Sequence, residues 1–239
     1  MKILFGIPTY NENKNISIIV HKVNKLSIVK DILIVDDNSK DGSLQELKKL
    51  KLLIKNFFFI IRNKKNGIGS AHKDIIAYAY KKKYDFLCTL DADGTHDPKY
   101  FFQMLKKISN NDLIITNRFF YKDSLEEWTY LRKLITISRH HVVNFLLNLK
   151  VDTSGAFRLY NLNAINKKDI LLAKHNGYSF FWESIFFLKK QNYKISQIPV
   201  LLKSRTYGSS KINFKEIVSA ILYLVYVFFR YRIIFKNKI

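Results

Sequence analysis

The chain has 239 residues, enough to bury about 70–75% of its unfolded surface as one domain. Hydrophobic residues at 48% and charged residues at 25% exclude wholesale disorder, and a single cysteine, Cys88, excludes a disulfide framework or a cysteine-based zinc cluster. Lys+Arg of 41 against Asp+Glu of 19 leaves +22, a field that draws nucleic acid, an anionic membrane or phosphorylated small molecules. A Lys-rich solvated surface would give the same sum, so the charge needs a motif to interpret it.

The N-terminal apolar run is cut short by Pro8 and Asn11, too early for a signal-peptide core, which predicts a cytoplasmic protein. Short apolar runs then predict strands at 2–7, 31–35, 57–61, 85–90 and 113–116. They are continuous rather than alternating, as in strands buried on both faces. Between them, apolar residues three or four apart predict helices at 15–26, 43–55, 68–83 and 98–108, the last with Pro98 in its first turn behind an Asp97 cap. Strands joined by helical crossovers predict an α/β protein with a parallel sheet, in which ligands bind outside the carboxyl ends of the strands.

Those strand ends carry the chemistry. They read Pro8-Thr9-Tyr10-Asn11-Glu12, Asp36-Asp37-Asn38-Ser39, Arg62-Asn63-Lys64-Lys65-Asn66-Gly67-Ile68-Gly69, Asp91-Ala92-Asp93 and Asn117-Arg118. Asp and Asn also favour turns, so one cluster alone would mean little. Two carboxylates two residues apart can hold one hard divalent cation that bridges phosphates. Gly67-Ile68-Gly69 lacks the third glycine of a dinucleotide fingerprint and follows the third strand, so with Lys65 it reads as a phosphate-facing loop at a helix start.

These motifs, in this order, with His96-Asp97-Pro98 completing the fourth, resemble family 2 inverting glycosyltransferases of the GT-A fold. Trp128, Arg132 and Thr136 at four-residue spacing, the run from Asp152 to Arg158, Gly177-Tyr178 with Glu183, and Arg205 with Lys211 resemble its polyprenol-phosphate mannosyltransferase branch. The resemblance implies a mostly parallel, Rossmann-like sheet with helices on both faces. Pro8, Tyr10, Glu12, Asp36, Asp37, Lys65, Asp91, Ala92 and Asp93 would hold a nucleotide sugar, GDP-mannose before UDP-glucose. Asp91 and Asp93 would bind Mg²⁺ or Mn²⁺, with Thr95 where the family has Gln or Ser as a third ligand. Arg118, Arg132, Thr136, Arg205 and Lys211 would hold the donor diphosphate and a polyprenyl phosphate acceptor, with Glu183 a recurrent acid on the acceptor side. Asp93, Arg118 and Arg132 are the expected catalytic residues. A lipid phosphate is already an anionic nucleophile, so it needs arginine forks rather than a general base.

The chain divides on this reading into a catalytic region, 1–212, and a basic, apolar segment, 213–239. Residues 217–229 are nearly all apolar but as a helix reach only about 20 Å, short of a bilayer core of about 30 Å. Arg230 and Arg232 follow, which predicts a helix lying at an anionic, cytoplasmic membrane face, with a span of 217–235 or burial against the catalytic region as alternatives. Two rival functions are transfer to a saccharide, which needs Glu183 as a base, and nucleic-acid binding. The second has no use for carboxylates gathered at strand ends, so nucleic acid is not an expected partner.

Overall fold

A computed structural model describes residues 1–125, 128–203, 205, 207–208 and 214–236. The chain runs β1 (Ile3–Thr9), α1 (Asn13–Asn24), β2 (Asp31–Asp36), α2 (Ser43–Leu53), β3 (Phe57–Ile61), α3 (Ile68–Lys81) and β4 (Phe86–Thr89). A 3₁₀ turn at Pro98–Tyr100 leads into α4 (Phe101–Lys107), then β5 (Leu113–Asn117) and α5 (Tyr130–Leu147). The rest is β6 (Arg158–Asn161), α6 (Lys167–Ile170), α7 (Ser179–Lys190), β7 (Ile195–Pro199) and α8 (Phe214–Lys236). Each predicted strand and helix is present with its ends shifted by a few residues, and the Asp97 side chain accepts from the Lys99 amide as a cap should.

The strands form one seven-stranded sheet in the order β3-β2-β1-β4-β6-β5-β7. Two features correct the sequence reading. The sheet is mostly parallel, as the resemblance implied, but not wholly so as the apolar runs alone suggested, because β6 runs antiparallel to both β4 and β5; and β6 and β7 were not expected. Neither has the signal of a buried strand: β6 is four residues opening on an arginine, and β7 reads Ile-Ser-Gln-Ile-Pro.

Alternate residues of the inner strands feed two cores. Leu4, Leu33 and Leu113 face the layer that holds α3, α5, α7 and α8, whereas Phe5, Ile34 and Ile114 face the layer of α1, α2 and α4. Because both faces are covered, every residue of β1 is buried, and its run carries no period-two signal. Helix α8 lies against α5 and α7, burying Leu224 and Val227 and packing Tyr231 on Phe186 and Phe187. Helix α8 leaves Ile221, Leu222, Val225 and Phe229 exposed, and α5, which it contacts, leaves Leu131, Leu134 and Ile135 exposed. Among the described residues no helix is long and apolar enough to cross a membrane.

Candidate active site

The carboxyl ends of β1, β2 and β4 and the start of α3 open onto one pocket. Pro8, Tyr10, Glu12, Asp37, Lys65, Asp91, Ala92 and Asp93 line it. Asp36, expected with them, does not. It is buried and accepts from the Ser39 amide and hydroxyl and from the Thr9 hydroxyl, bracing the ends of β1 and β2. Asp37 accepts from the amides of Asn66 and Gly67, each at 2.8 Å, and from Arg62 Nη1 at 3.0 Å. Those two amides are therefore spent on a carboxylate, while Lys65, Gly67 and Ile68 of the loop read as phosphate-facing still line the pocket. Lys65 reaches over the Tyr10 ring, its Nζ 4.1 Å from the centroid, and brings positive charge to the pocket by another route.

The two glycines of the loop serve packing. Gly67 has φ +92°, and a Cβ on it would stand 2.6 Å from the Asn176 carbonyl oxygen. A Cβ on Gly69 would stand 2.6 Å from the Gly177 carbonyl oxygen and 2.8 Å from that of His175. Without side chains the start of α3 lets the backbone at 175–177 close against it, and Ser70 N donates to Asn176 O at 3.0 Å. That closure brings Gly177 and Tyr178 into the pocket wall.

Asp91 and Asp93 leave β4 toward the same space. Burial and the charge of Asp93 push the Asp91 carboxyl above the ordinary carboxylate range, with Arg205 and Arg118 pulling the other way. Arg205 Nη2 stands 3.2 Å from Asp93 Oδ2, and its Nη1 stands 3.8 Å from Glu12. Two hard, mutually repelling carboxylates facing a pocket suit Mg²⁺ or Mn²⁺. Among the described residues no third His, Cys, Asp or Glu joins them, so an ion there would take its other oxygens from ligand or water. Thr95 spends its hydroxyl on Asp93 Oδ1 at 2.8 Å and its amide on the same oxygen, so it shapes the turn that presents Asp93. Thr95, expected as a third ligand, touches Asp93 but is not among the residues that line the pocket.

The basic residues gather beside the carboxylates. Arg118 Nε donates to Asp152 Oδ2 at 2.8 Å. Burial opposes the Asp152 charge, but Arg118 and Ser154 overcome it and hold the carboxyl down at about 2. Arg132 stacks on Trp128, its guanidinium carbon 3.7 Å from the ring centroid. Arg205, Arg118 and Asp93 lie close enough to Arg132 for their charges to act on it. Thr136 follows Arg132 by one helical turn on α5, and Arg139 by two, where Arg118 and Asp152 act on it in opposite senses. Lys211 lies outside the described residues.

Glu183 is somewhere else. It is buried, with Oε1 accepting from Lys174 N at 3.0 Å and from the Tyr223 hydroxyl at 2.7 Å, and Oε2 accepting from His175 N at 2.9 Å. The expected acceptor-side acid thus holds a loop and a helix together. Sequence reasoning assigned no role at the donor pocket to Tyr178 and did not single out Arg139 or Glu216. The spacing Arg132, Thr136, Arg139 marks one helix face and was the available signal for Arg139. Nothing local marks Glu216, which reaches the pocket from α8 only through the tertiary fold.

Comparison with known proteins starts from the fold. Mannosyl-3-phosphoglycerate synthase from Rubrobacter xylanophilus superposes with a TM-score of 0.64 at 14% identity, covering 100% of this chain and 76% of that one. Glucosyl-3-phosphoglycerate synthase from Mycobacterium tuberculosis, crystallised with Mn²⁺, UDP and glucosyl-3-phosphoglycerate, gives 0.62 at 13% identity over 94% and 77% of the two chains. These likenesses establish the GT-A architecture expected from the motifs. Two relatives are similar in sequence. The undecaprenyl-phosphate mannosyltransferase of Micrococcus luteus is 26% identical over 214 residues, 89% of this chain and 88% of that protein. The polyprenol monophosphomannose synthase of Mycolicibacterium smegmatis is 27% identical over 217 residues, 90% and 82% of the two. Residues 5–171, which contain both strand-end carboxylates and the β3–α3 loop, match the model of glycosyl transferase family 2. The match spans well over half of the chain, and this chain is a glycosyltransferase that belongs to family 2.

Proposed function

We propose that the protein transfers one hexose from a nucleotide sugar to a polyprenyl phosphate, with inversion at the sugar. GDP-mannose is the favoured donor and UDP-glucose the second candidate. Both relatives are named for mannose and for a polyprenyl-type phosphate, which supports this choice of donor sugar and acceptor. The observation that carries the reading is the meeting of a carboxylate pair with an arginine cluster at Asp93 and Arg205.

In the reaction the bond from the anomeric carbon to the diphosphate breaks, and an acceptor phosphate oxygen forms the new bond from the opposite side. Asp91 and Asp93 would hold Mg²⁺ or Mn²⁺, whose charge neutralises the departing diphosphate. Arg205, held between Asp93 and Glu12, supplies a fork at the boundary of donor and acceptor. Arg118 and Arg132, with the Thr136 hydroxyl on the same helix as Arg132, draw in the acceptor phosphate against the repulsion of the donor's own charges. No proton has to be removed from a phosphate acceptor, so the reaction needs no general base. A saccharide acceptor would need one, and Glu183 has both oxygens engaged.

The lipid acceptor calls for a membrane surface. The exposed apolar residues of α5 and α8, two helices in contact, and the +22 charge favour peripheral attachment to an anionic, cytoplasmic leaflet. The test is transfer by purified full-length protein, with radiolabelled nucleotide sugars and polyprenyl phosphate in acidic-lipid vesicles. Lipid-extractable label from GDP-mannose, abolished by EDTA and restored by Mg²⁺ or Mn²⁺, is expected. Label appearing only on a soluble saccharide would overturn the reading.

A further inference from the structure

Helix α8 begins at the pocket. Glu216, in its first turn, lines the same space as Asp37, Lys65 and Asp91, across from the ends of the strands. Two turns further on, the Tyr223 hydroxyl donates to Glu183 at 2.7 Å, and the Tyr223 ring packs on His175 at 4.7 Å between centroids. The same Glu183 carboxylate accepts from the amides of Lys174 and His175, and His175 Nδ1 accepts from Gly177 N at 2.9 Å. One buried carboxylate therefore ties α8 to the loop whose next residues, Gly177 and Tyr178, form the pocket wall.

From this geometry we infer that α8 is a working wall of the donor pocket, in which Glu216 accepts hydrogen bonds from hydroxyl groups of the donor and the Glu183–Tyr223 pair is the positioning contact that holds the helix there. The inference rests on the reading of this pocket as a nucleotide-sugar site. A carboxylate only accepts hydrogen bonds, and it repels phosphate, so its complement on such a donor is a pair of neighbouring hydroxyls. Both the ribose and the hexose carry one. Burial raises the Glu216 carboxyl and the charge of Lys65 counters part of that rise, while the charges of Glu216 and Asp91 act in the same sense on Tyr178. The segment 213–239, set apart by the sequence as a membrane element, would on this view also select and retain the donor.

The test is calorimetric titration of the full-length protein with GDP and with GDP-mannose in the presence of Mg²⁺, for the wild type, Glu216→Gln and Tyr223→Phe. Glu216→Gln is expected to weaken GDP-mannose about tenfold. An equal loss for GDP locates the contact at the ribose, and no loss for GDP locates it at the hexose. Tyr223→Phe, whose lost hydroxyl is remote from any bound donor, is expected to weaken the donor severalfold and raise its KM while leaving kcat and the acceptor KM near wild type. Amide exchange across 217–230 should slow on GDP-mannose binding in the wild type and much less in Tyr223→Phe. Unchanged donor affinity in both variants overturns the inference and leaves the proposed function standing. That outcome would hold even if Tyr223→Phe lowered the melting temperature, since a merely structural contact does only that. Failure of the wild type to bind either nucleotide overturns the donor reading and the inference with it.

Discussion

Asp91 and Asp93 leave one strand two residues apart, and Arg205 alone among the described side chains makes an ion pair with either. The raised affinity of Asp91 for a proton means that ionising it works against the folded state, fully so above its folded value and not at all below the usual carboxylate range. Asp91→Asn should therefore raise the melting temperature of the metal-free protein at pH 8, leave it unchanged at pH 4, and abolish transfer. Calorimetry with and without Mg²⁺ checks this, because Mg²⁺ should stabilise the wild type and not the variant. Arg205 sits between Glu12 and Asp93 with both ends of its fork engaged. A lysine keeps one charge and loses that geometry, so Arg205→Lys should cost about tenfold or more in kcat/KM and Arg205→Ala more still. Asp91 and Asp93 were legible from sequence because they follow a strand, whereas Arg205, six residues past β7, was found only through the resemblance. The role of Glu183 was not legible, because a buried acid bonded to amides reads in sequence like any exposed one. Asp36 and Asp37 are neighbours in sequence, yet one braces a turn and the other lines the pocket.

At the level of elements, the expected strands and helices of the first half were all found, since each apolar run has its own length and punctuation. Strand β6 was hidden by its opening Arg158, which is buried and donates to Gly155 O, Ser184 Oγ and Phe181 O rather than to any carboxylate. A chain read locally assigns such a residue to the surface. The contact of α3 with the 175–177 backbone was hidden too, because Gly67-Ile68-Gly69 suggests a phosphate site more readily than a packing joint. Gly69→Ala tests the packing role. The added methyl meets two carbonyl oxygens and the Phe180 Cβ, so a loss of about 1–3 kcal/mol in stability is expected. The displaced loop carries Gly177 and Tyr178, so GDP affinity should fall as well. Urea unfolding and calorimetry read the two effects separately. Preserved stability in this variant would show that the loop yields easily.

The whole molecule carries titrating groups inside its cores. His72 is buried on the side of α3 that meets α7, stacked on Phe180 at 5.7 Å, and burial with the nearby charge of Arg158 lowers its pKa from 6.5 to about 3. Burial and Arg118 lower His96 in the same direction. The unfolded chain takes up these protons first, so stability is present above pH 6.5 and is lost as pH falls below it. The slope approaches about 1.4 kcal/mol per pH unit for each such group. The melting temperature should drop between pH 6.5 and 4, and His72→Phe should flatten that drop; an unchanged slope would mean that His72 takes up its proton in the folded state. Sequence revealed the net charge but not which histidines are internal, since burial of His72 depends on α7, an element that was not anticipated. The central claim is that this charge and the arginine cluster serve an acceptor phosphate. Its most direct measurement compares transfer from GDP-mannose to a polyprenyl phosphate and to the polyprenol of identical chain length, in the same vesicles with the same metal. Transfer to the phosphate, with none detectable to the alcohol, is the predicted result. Comparable transfer to both would contradict the account, because the arginine cluster would then not be holding an acceptor phosphate.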